Sequence, residues 1–263
     1  MLDGTFPLLT TKRVSFKNIL QELLFFIRGD TSSKLLEEKG VGIWKGNTTE
    51  EFLKERGLYN YEEGQTGPIY GWQWRRWNKP YDPLISNECD GKEEDTSSHD
   101  TEYIDQLAEV VDSIRKEPHS RRHIVSAWNP EQLNDMCLPP CHLLYQFLVS
   151  GDGKYLDIVV TQRSGDMFLG IPYNIASYSI LLNMVAVLTS LTPREVIINI
   201  GDCHIYENHI PQATKQIQRT PLPFPKLNIR RKMQVKTIDD FDDTNVELQN
   251  YESWPILSAK MAV

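Results

Sequence analysis

The sequence predicts an α+β fold in a single domain, with one large mixed sheet packed on a core helix. Three observations predict it. Four strand-like runs cluster between residues 121 and 200. A long uncharged stretch, Met167 to Pro193, separates the last two runs and holds a helix. Neither a repeat nor a linker divides the 263 residues, which suffice for one substantial core. The helix covers one sheet face, and the face left over needs a partner, which points to a homodimer.

Taken in order, FKNILQELLFFI at 16–27 has helical apolar spacing, and Ser15 is available as its cap. Glu22 sits inside that pattern, either as an edge carboxylate facing water or as a buried acid with a task. A short helix is expected over 32–39. Residues 40–78 carry GIW and GPIYGWQWRRW, where Gly and Pro break long elements, so loops are expected to hold these aromatics. Such loops wall a pocket or plug the core. Residues 78–100 are polar and acidic and read as an exposed surface loop. A helix is expected over 100–117. The strand-like runs are RRHIVSAW at 121–128, LLYQFLV at 143–149, YLDIVVTQR at 155–163 and VIINI at 196–200. GDGK at 151–154 turns the chain between two of them. Helices are expected at 174–190 and 204–218, the second stopped by PLPFP, then a short strand at 226–231 and an irregular tail.

Composition narrows the class. Apolar residues make up 40% and charged residues 24%, as in ordinary globular proteins. A net charge of -8 argues against non-specific nucleic-acid binding but leaves room for a local basic pocket. The N-terminus lacks the apolar run of a secretory signal. Met167 to Pro193 has the length of a membrane span, yet Pro172, Asn174 and Asn183 interrupt it, so no membrane is expected. Cys89, Cys137, Cys141 and Cys203 show no paired zinc-ribbon spacing and read as reduced thiols, in the cytoplasm or the nucleus.

Cys141 is the candidate nucleophile. In LPPCH, two prolines fix the backbone before a thiol with His142 beside it. Alone, a cysteine is more often core than catalyst. QRSGD at 162–166 adds Arg163, Ser164 and Asp166; an arginine near a thiol favours thiolate, and Arg with Ser suits a phosphate monoester. Arg121 and Arg122 are either solvated or reach a phosphate across an interface. His204 and Tyr206 face the same way if the chain is extended, and both can bond a sugar hydroxyl. The bland reading there is a helix start with His209 on its surface. Zinc is poorly supported, because His204 and His209 lack the HExxH spacing. Asn174 at a helix start is either a cap or an amide matched to the N3–H and O4 edge of uracil.

These blocks resemble the thymidylate synthase family across nearly the whole chain. The matching stretches are FPLLTTKR, ELLFFIRGDT, GPIYGWQWRRW, SRRHIVSAWNP, LPPCH, QRSGDMFLGIPYNIASY, GDCHIYENH and the final MAV. Eukaryotic or viral members are the nearer match. The resemblance implies one catalytic domain over 1–263 with its sheet faces paired in a homodimer. It implies reductive methylation of dUMP to dTMP by 5,10-methylenetetrahydrofolate, which leaves as dihydrofolate, with no metal and no nicotinamide. Cys141 would attack C6 of uracil, and the C5 proton would leave through water held by Glu22, His142 and Asn174, with Tyr70 close by. Asn174 and Gln162 would meet the base, His204 and Tyr206 the deoxyribose, Arg163 and Ser164 the phosphate. Arg121 and Arg122 would cross from the other subunit. Trp44, Asn47, Asp166, Leu169 and Gly170 would line the folate site, and Val263 would close over it.

The chain departs from the family at several points. The family carries a segment before FPLLTTKR with another phosphate-binding arginine, which Arg13 does not match. Trp254 and Ser258 replace a usual histidine and lysine, and looser or differently timed tail closure is expected. Thr161 and Cys203 read as packing changes. Two other functions are weighed. A hydroxymethylase would let water quench the adduct; Asn174 favours uracil, and Trp44 shields the intermediate. A weak RNA-binding regulator is the other, though the sequence has no RNA-recognition motif.

Overall fold

The computed structural model describes residues 4–84, 103–229 and 235–260. The expected surface loop at 78–100 lies mostly outside them. The first helix, α1 (Phe16–Arg28), forms as the apolar spacing requires. The Ser15 side chain accepts from the Asn18 N–H at 3.3 Å, and Gly29 ends the helix at φ 70°, a turn that costs glycine little. Helix α2 (Lys34–Glu38) follows.

Two helices occupy the stretch expected to be loop. Thr49 caps α3 (Glu50–Glu55), whose first turn carries two glutamates that suit the helix dipole. Helix α4 (Tyr70–Arg75) starts just after Pro68 and carries the buried Trp72 and Trp74. Gly71, which looked like a breaker, is a contact point instead. A Cβ there would lie 2.7 Å from Phe26 Cα and against the Phe26 carbonyl. Only glycine lets α4 lie so close to α1. Gly71→Ala is expected to destabilise the fold by about 2–4 kcal/mol, read as a lower urea midpoint at unchanged slope.

Helix α5 (Gln106–Lys116) begins later than expected because Asp105 caps it, accepting from the Ala108 N–H at 3.0 Å. The main sheet has the order β1–β2–β3–β4. Strand β1 (Ile124–Ser126) is shorter than the sequence run, which leaves Arg121 and Arg122 outside it. Strands β2 (His142–Val149) and β3 (Tyr155–Asp166) pair antiparallel, as β1 does with β2. Strand β4 (Thr192–His204) runs parallel to β3 and extends well beyond the apolar core VIINI. Its polar ends pair through backbone, which composition does not report. The sheet is therefore mixed.

Between β3 and β4 runs α6 (Gly170–Thr189), apolar on all sides and mostly buried. It is long and apolar enough to cross a membrane, but 72% of that window is buried in the fold. It packs on β3, β4, α1 and α5. Burying Ile180, Leu181, Leu182 and Val185 contributes about 1.5–3 kcal/mol each. Helix α7 (Ile210–Ile217) is shorter than the predicted 204–218, because β4 continues to His204 and a 3₁₀ turn, Glu207–His209, intervenes. The expected strand at 226–231 is β5 (Lys226–Ile229), with 230 and 231 outside the described residues. Strand β6 (Val246–Gln249) pairs with it, so part of the tail is regular after all. Its VELQ pattern is too short to stand out.

Candidate active site

At one end of the sheet, the start of β2, the end of β3, the end of β4 and the first turns of α6 come together. Cys141 precedes β2 and is half-buried. Its N–H donates to the Tyr70 hydroxyl at 2.8 Å, and its carbonyl accepts from the Arg163 N–H at 2.8 Å. Arg163 also donates from Nε to the Pro140 carbonyl and from Nη2 to the Pro139 carbonyl, each at 2.9 Å. The two prolines are thus fastened by a guanidinium, and the backbone that carries the thiol is held on both sides. Arg163 remains exposed, which leaves its outer edge for an anion.

Asn174 is not the helix cap. The helix starts at Gly170, so Asn174 lies one turn inside, and its amide is free to face the site. Asn174 Nδ2 donates to His142 Nε2 at 3.0 Å, and Oδ1 accepts from Gln162 Nε2 at 3.1 Å. Because Nε2 accepts, the His142 proton sits on Nδ1 and is donated to the Tyr178 hydroxyl at 3.0 Å. Burial holds the imidazole down to about 3, so it is neutral at any working pH. A chain of hydrogen bonds therefore runs from Gln162 through Asn174 and His142 to Tyr178. The second N–H and second lone pair of Asn174 are left for a ligand. Gln162 Oε1 is buried without a partner among the described residues, a further acceptor there.

Sequence reasoning missed Tyr178. It lies four residues after Asn174, so one helix face carries both. That spacing was the available signal.

Glu22 is turned inward and does not face water. Its Oε1 accepts from Trp44 Nε1 at 2.8 Å. Burial raises its pKa to about 7, against the opposing pull of the indole N–H. It exchanges a proton near neutrality, as a general acid or base must. Burial raises the phenols of Tyr70 and Tyr178, with Cys141 adding to the shift at Tyr70 and Glu22 to that at Tyr178, so both stay protonated. Phe26, Trp44 and Tyr70 wall this region, with ring centroids of Phe26 and Tyr70 4.9 Å apart and of Tyr70 and His142 4.6 Å apart. The aromatics of 40–78 thus both plug the core and wall the site.

His204 and Tyr206 stand together, their rings 4.8 Å apart at 81°. His204 Nδ1 lies 3.1 Å from the Asp202 carboxylate. Ser164 pairs in register with Asp202, and Asp166 with His204. Asp166 Oδ1 accepts from the Phe168 N–H at 2.8 Å, while its other oxygen takes no bond from the described residues. That oxygen suits a ring N–H donor. Lys12, buried beside it, bonds the Phe168 carbonyl, and burial presses its pKa down to about 8 while Asp166 pulls it up. Leu169 and Gly170 open α6 with no side-chain cap. Asn47 is buried at the end of the Lys45–Asn47 turn. Val263 is outside the described residues.

Arg121 and Arg122 are not brought to this end. Ile124 pairs with Gln146, so the arginines lie near the far end of β2, roughly 20 Å along the strand from Cys141. Both are exposed. His209, which the bland reading of this stretch put on a helix surface, is completely buried.

The fold and site define an enzyme with a nucleophilic cysteine, a neutral amide–imidazole relay and an acid titrating near neutrality. The family model for thymidylate synthase matches residues 1–263. The chain is 46% identical to thymidylate synthase 1/2 of Encephalitozoon cuniculi over 260 residues, 99% of this chain and 84% of that one. It is 46% identical to the thymidylate synthase of Homo sapiens over 262 residues, 100% and 79% of the two chains. It is 45% identical to that of Herpesvirus ateles, covering 100% and 85%. The chain belongs to the thymidylate synthase family.

Proposed function

We propose that the Cys141 cleft carries the family reaction with its residues in the following roles. The protein methylates dUMP to dTMP, with 5,10-methylenetetrahydrofolate as cosubstrate. The observation that carries the assignment is the relay through Asn174 and His142, the latter directly following a cysteine whose backbone is held from both sides. Cys141 adds to C6 of the uracil ring, which makes C5 the nucleophile. Asn174 offers one donor and one acceptor in a plane, the complement of N3–H and O4. Its orientation is set by Gln162 and His142, so the base is read by a preorganised amide. Arg163 and Ser164 face the phosphate, and His204 and Tyr206 the 3′-hydroxyl. When bound, the folate supplies both the one-carbon unit and the hydride. Trp44 forms an apolar wall that keeps water out, and the free oxygen of Asp166 accepts from the pterin. Asn47, Leu169 and Gly170 line that side, and Val263 closes it. Glu22 as carboxylate takes the C5 proton through water.

The homodimer rests on the sheet. Ile124, Gln146, Val159 and Ile197 lie in one register row across β1 to β4. Ile124 and Ile197 are 44% and 42% exposed on the face opposite α6. A row with two isoleucines this open suits a partner sheet. Arg121 and Arg122, too far from their own Cys141, reach the partner's phosphate. Cys141 acts only as a free thiol, which assigns the protein to the cytoplasm or nucleus.

Asn174→Asp is expected to weaken dUMP by about 100-fold or more, because a carboxylate repels O4 and loses the donor. Competition between dUMP and dCMP for the cleft measures this, and the preference is expected to move toward dCMP. The roles are tested by mixing the protein with 5-fluoro-dUMP and the folate, denaturing, and weighing the chain. The expected result is a mass increase equal to both ligands, located on the peptide holding Cys141. An unmodified chain that is retained on RNA at moderate salt would instead make it a binder.

A further inference from the structure

The tail is held by side chains that grip its backbone. Arg219 Nη1 donates to the Pro255 carbonyl at 2.8 Å, and Gln212 to the Ser258 carbonyl at 3.3 Å. At the last described residue, two donors converge on the Lys260 carbonyl: Asn208 Nδ2 at 3.2 Å and His209 Nε2 at 2.8 Å. Asn208 is exposed, whereas His209 has no exposed surface. Because a carbonyl only accepts, Nε2 carries a proton. Nδ1 is buried and meets no hydrogen-bond partner among the described residues. It sits 3.8 Å from the Asp166 carboxylate. The ring is wedged between Phe168 and Tyr206, at centroid distances of 5.5 and 5.6 Å.

We propose that His209 is a positioning residue that ties the tail to the folate and deoxyribose readers. One edge of its ring sets the Lys260 carbonyl, and the other edge and both faces rest on Asp166, Phe168 and Tyr206. Displacing the ring therefore moves the tail and those residues together. Since the grip is on carbonyls, it is indifferent to tail side chains, so Trp254 and Ser258 leave it intact. The inference rests on the reading that the tail closes over the ligands. His209 touches neither ligand and acts through the Lys260 carbonyl.

Two variants of similar polarity separate this role from general packing. In His209→Gln the amide nitrogen reaches the position of Nε2 and still donates to Lys260. In His209→Asn it reaches only the position of Nδ1, and the bond is lost. H209N is expected to raise the KM for the folate roughly 5- to 50-fold and to lower kcat, while Kd for dUMP without folate rises less, by about 2- to 5-fold, because Tyr206 shifts with the ring. H209Q is expected to stay within about 3-fold of the parent protein. Removal of C-terminal residues by carboxypeptidase is expected to be faster for H209N than for H209Q, a readout independent of turnover. Equal release rates for the two variants would overturn the latch. Faster release by H209N with an unchanged folate KM would keep the latch but overturn its tie to the ligands. A parent protein that makes no dTMP would refute the assigned function and leave the release rates to judge the latch.

Discussion

Cys141→Ser is expected to lower kcat by roughly 1,000-fold or more, because a serine hydroxyl at this position has no base to activate it. The neighbouring imidazole does not fill that role. Its Nε2 accepts from Asn174, and burial keeps it neutral with a pKa of about 3. Kd for dUMP is expected to change by less than about 3-fold, since Asn174, Arg163, His204 and Tyr206 are untouched. Isothermal titration and single-turnover rates separate the two effects. Turnover by the serine variant within about tenfold of the parent would remove Cys141 from the mechanism.

Glu22→Gln has the second largest expected effect, a fall in kcat of about 100- to 1,000-fold. The sign of the pH dependence follows from the direction of the shift. The carboxyl is raised from 4.5 to about 7 by burial, and the proposed role as acceptor of the C5 proton needs the carboxylate. kcat is therefore expected to rise with pH through about 7, and the glutamine variant to lose that inflection. Stability runs the other way. The folded chain holds the proton more tightly than the unfolded one, so stability is full below 4.5 and declines as pH rises to about 7. Relative to the parent, E22Q is expected to gain on the order of 2 kcal/mol at pH 8 and nothing near pH 4. A variant that is less active and more stable at alkaline pH identifies a site that holds a costly charge for function. A pH-independent kcat in the parent would contradict the role given to Glu22.

The sequence was most legible where periodicity and capping act locally. Helix α1 follows from its apolar spacing, Ser15 and Gly29, and β2 and β3 from their β-branched and aromatic runs. It was least legible where tertiary contact overrides local preference. Gly71 reads as a breaker until Phe26 is seen against it. The polar ends of β4 read as loop until β3 supplies their partners. The site divided in the same way. Cys141, Asn174, Arg163 and Asp166 stand in dense motifs that resemblance picks out at once. Tyr178 stood in the same stretch without a distinguishing feature, because its role comes from a hydrogen bond to a residue on another element. Glu22 was ambiguous because exposure, not identity, decides what a glutamate on a helix does. His209 went the other way: its motif suggested a surface helix, and the 3₁₀ turn carries it inside.

The departures from the family fall where the structure tolerates them. Cys203 is exposed on edge strand β4. Trp254 is anchored by its own indole, which donates to the Thr220 carbonyl at 2.8 Å, while the Arg219 guanidinium stacks 5.5 Å from its ring. Trp254 thus holds this part of the tail through its own contacts.

The most direct test of the whole account is to mix the protein with dUMP and 5,10-methylenetetrahydrofolate, follow dihydrofolate by absorbance and weigh the nucleotide product. The account predicts dihydrofolate and dTMP in equal amounts. Tetrahydrofolate with hydroxymethyl-dUMP would contradict it, because water would then have reached an intermediate that Trp44 is assigned to shield.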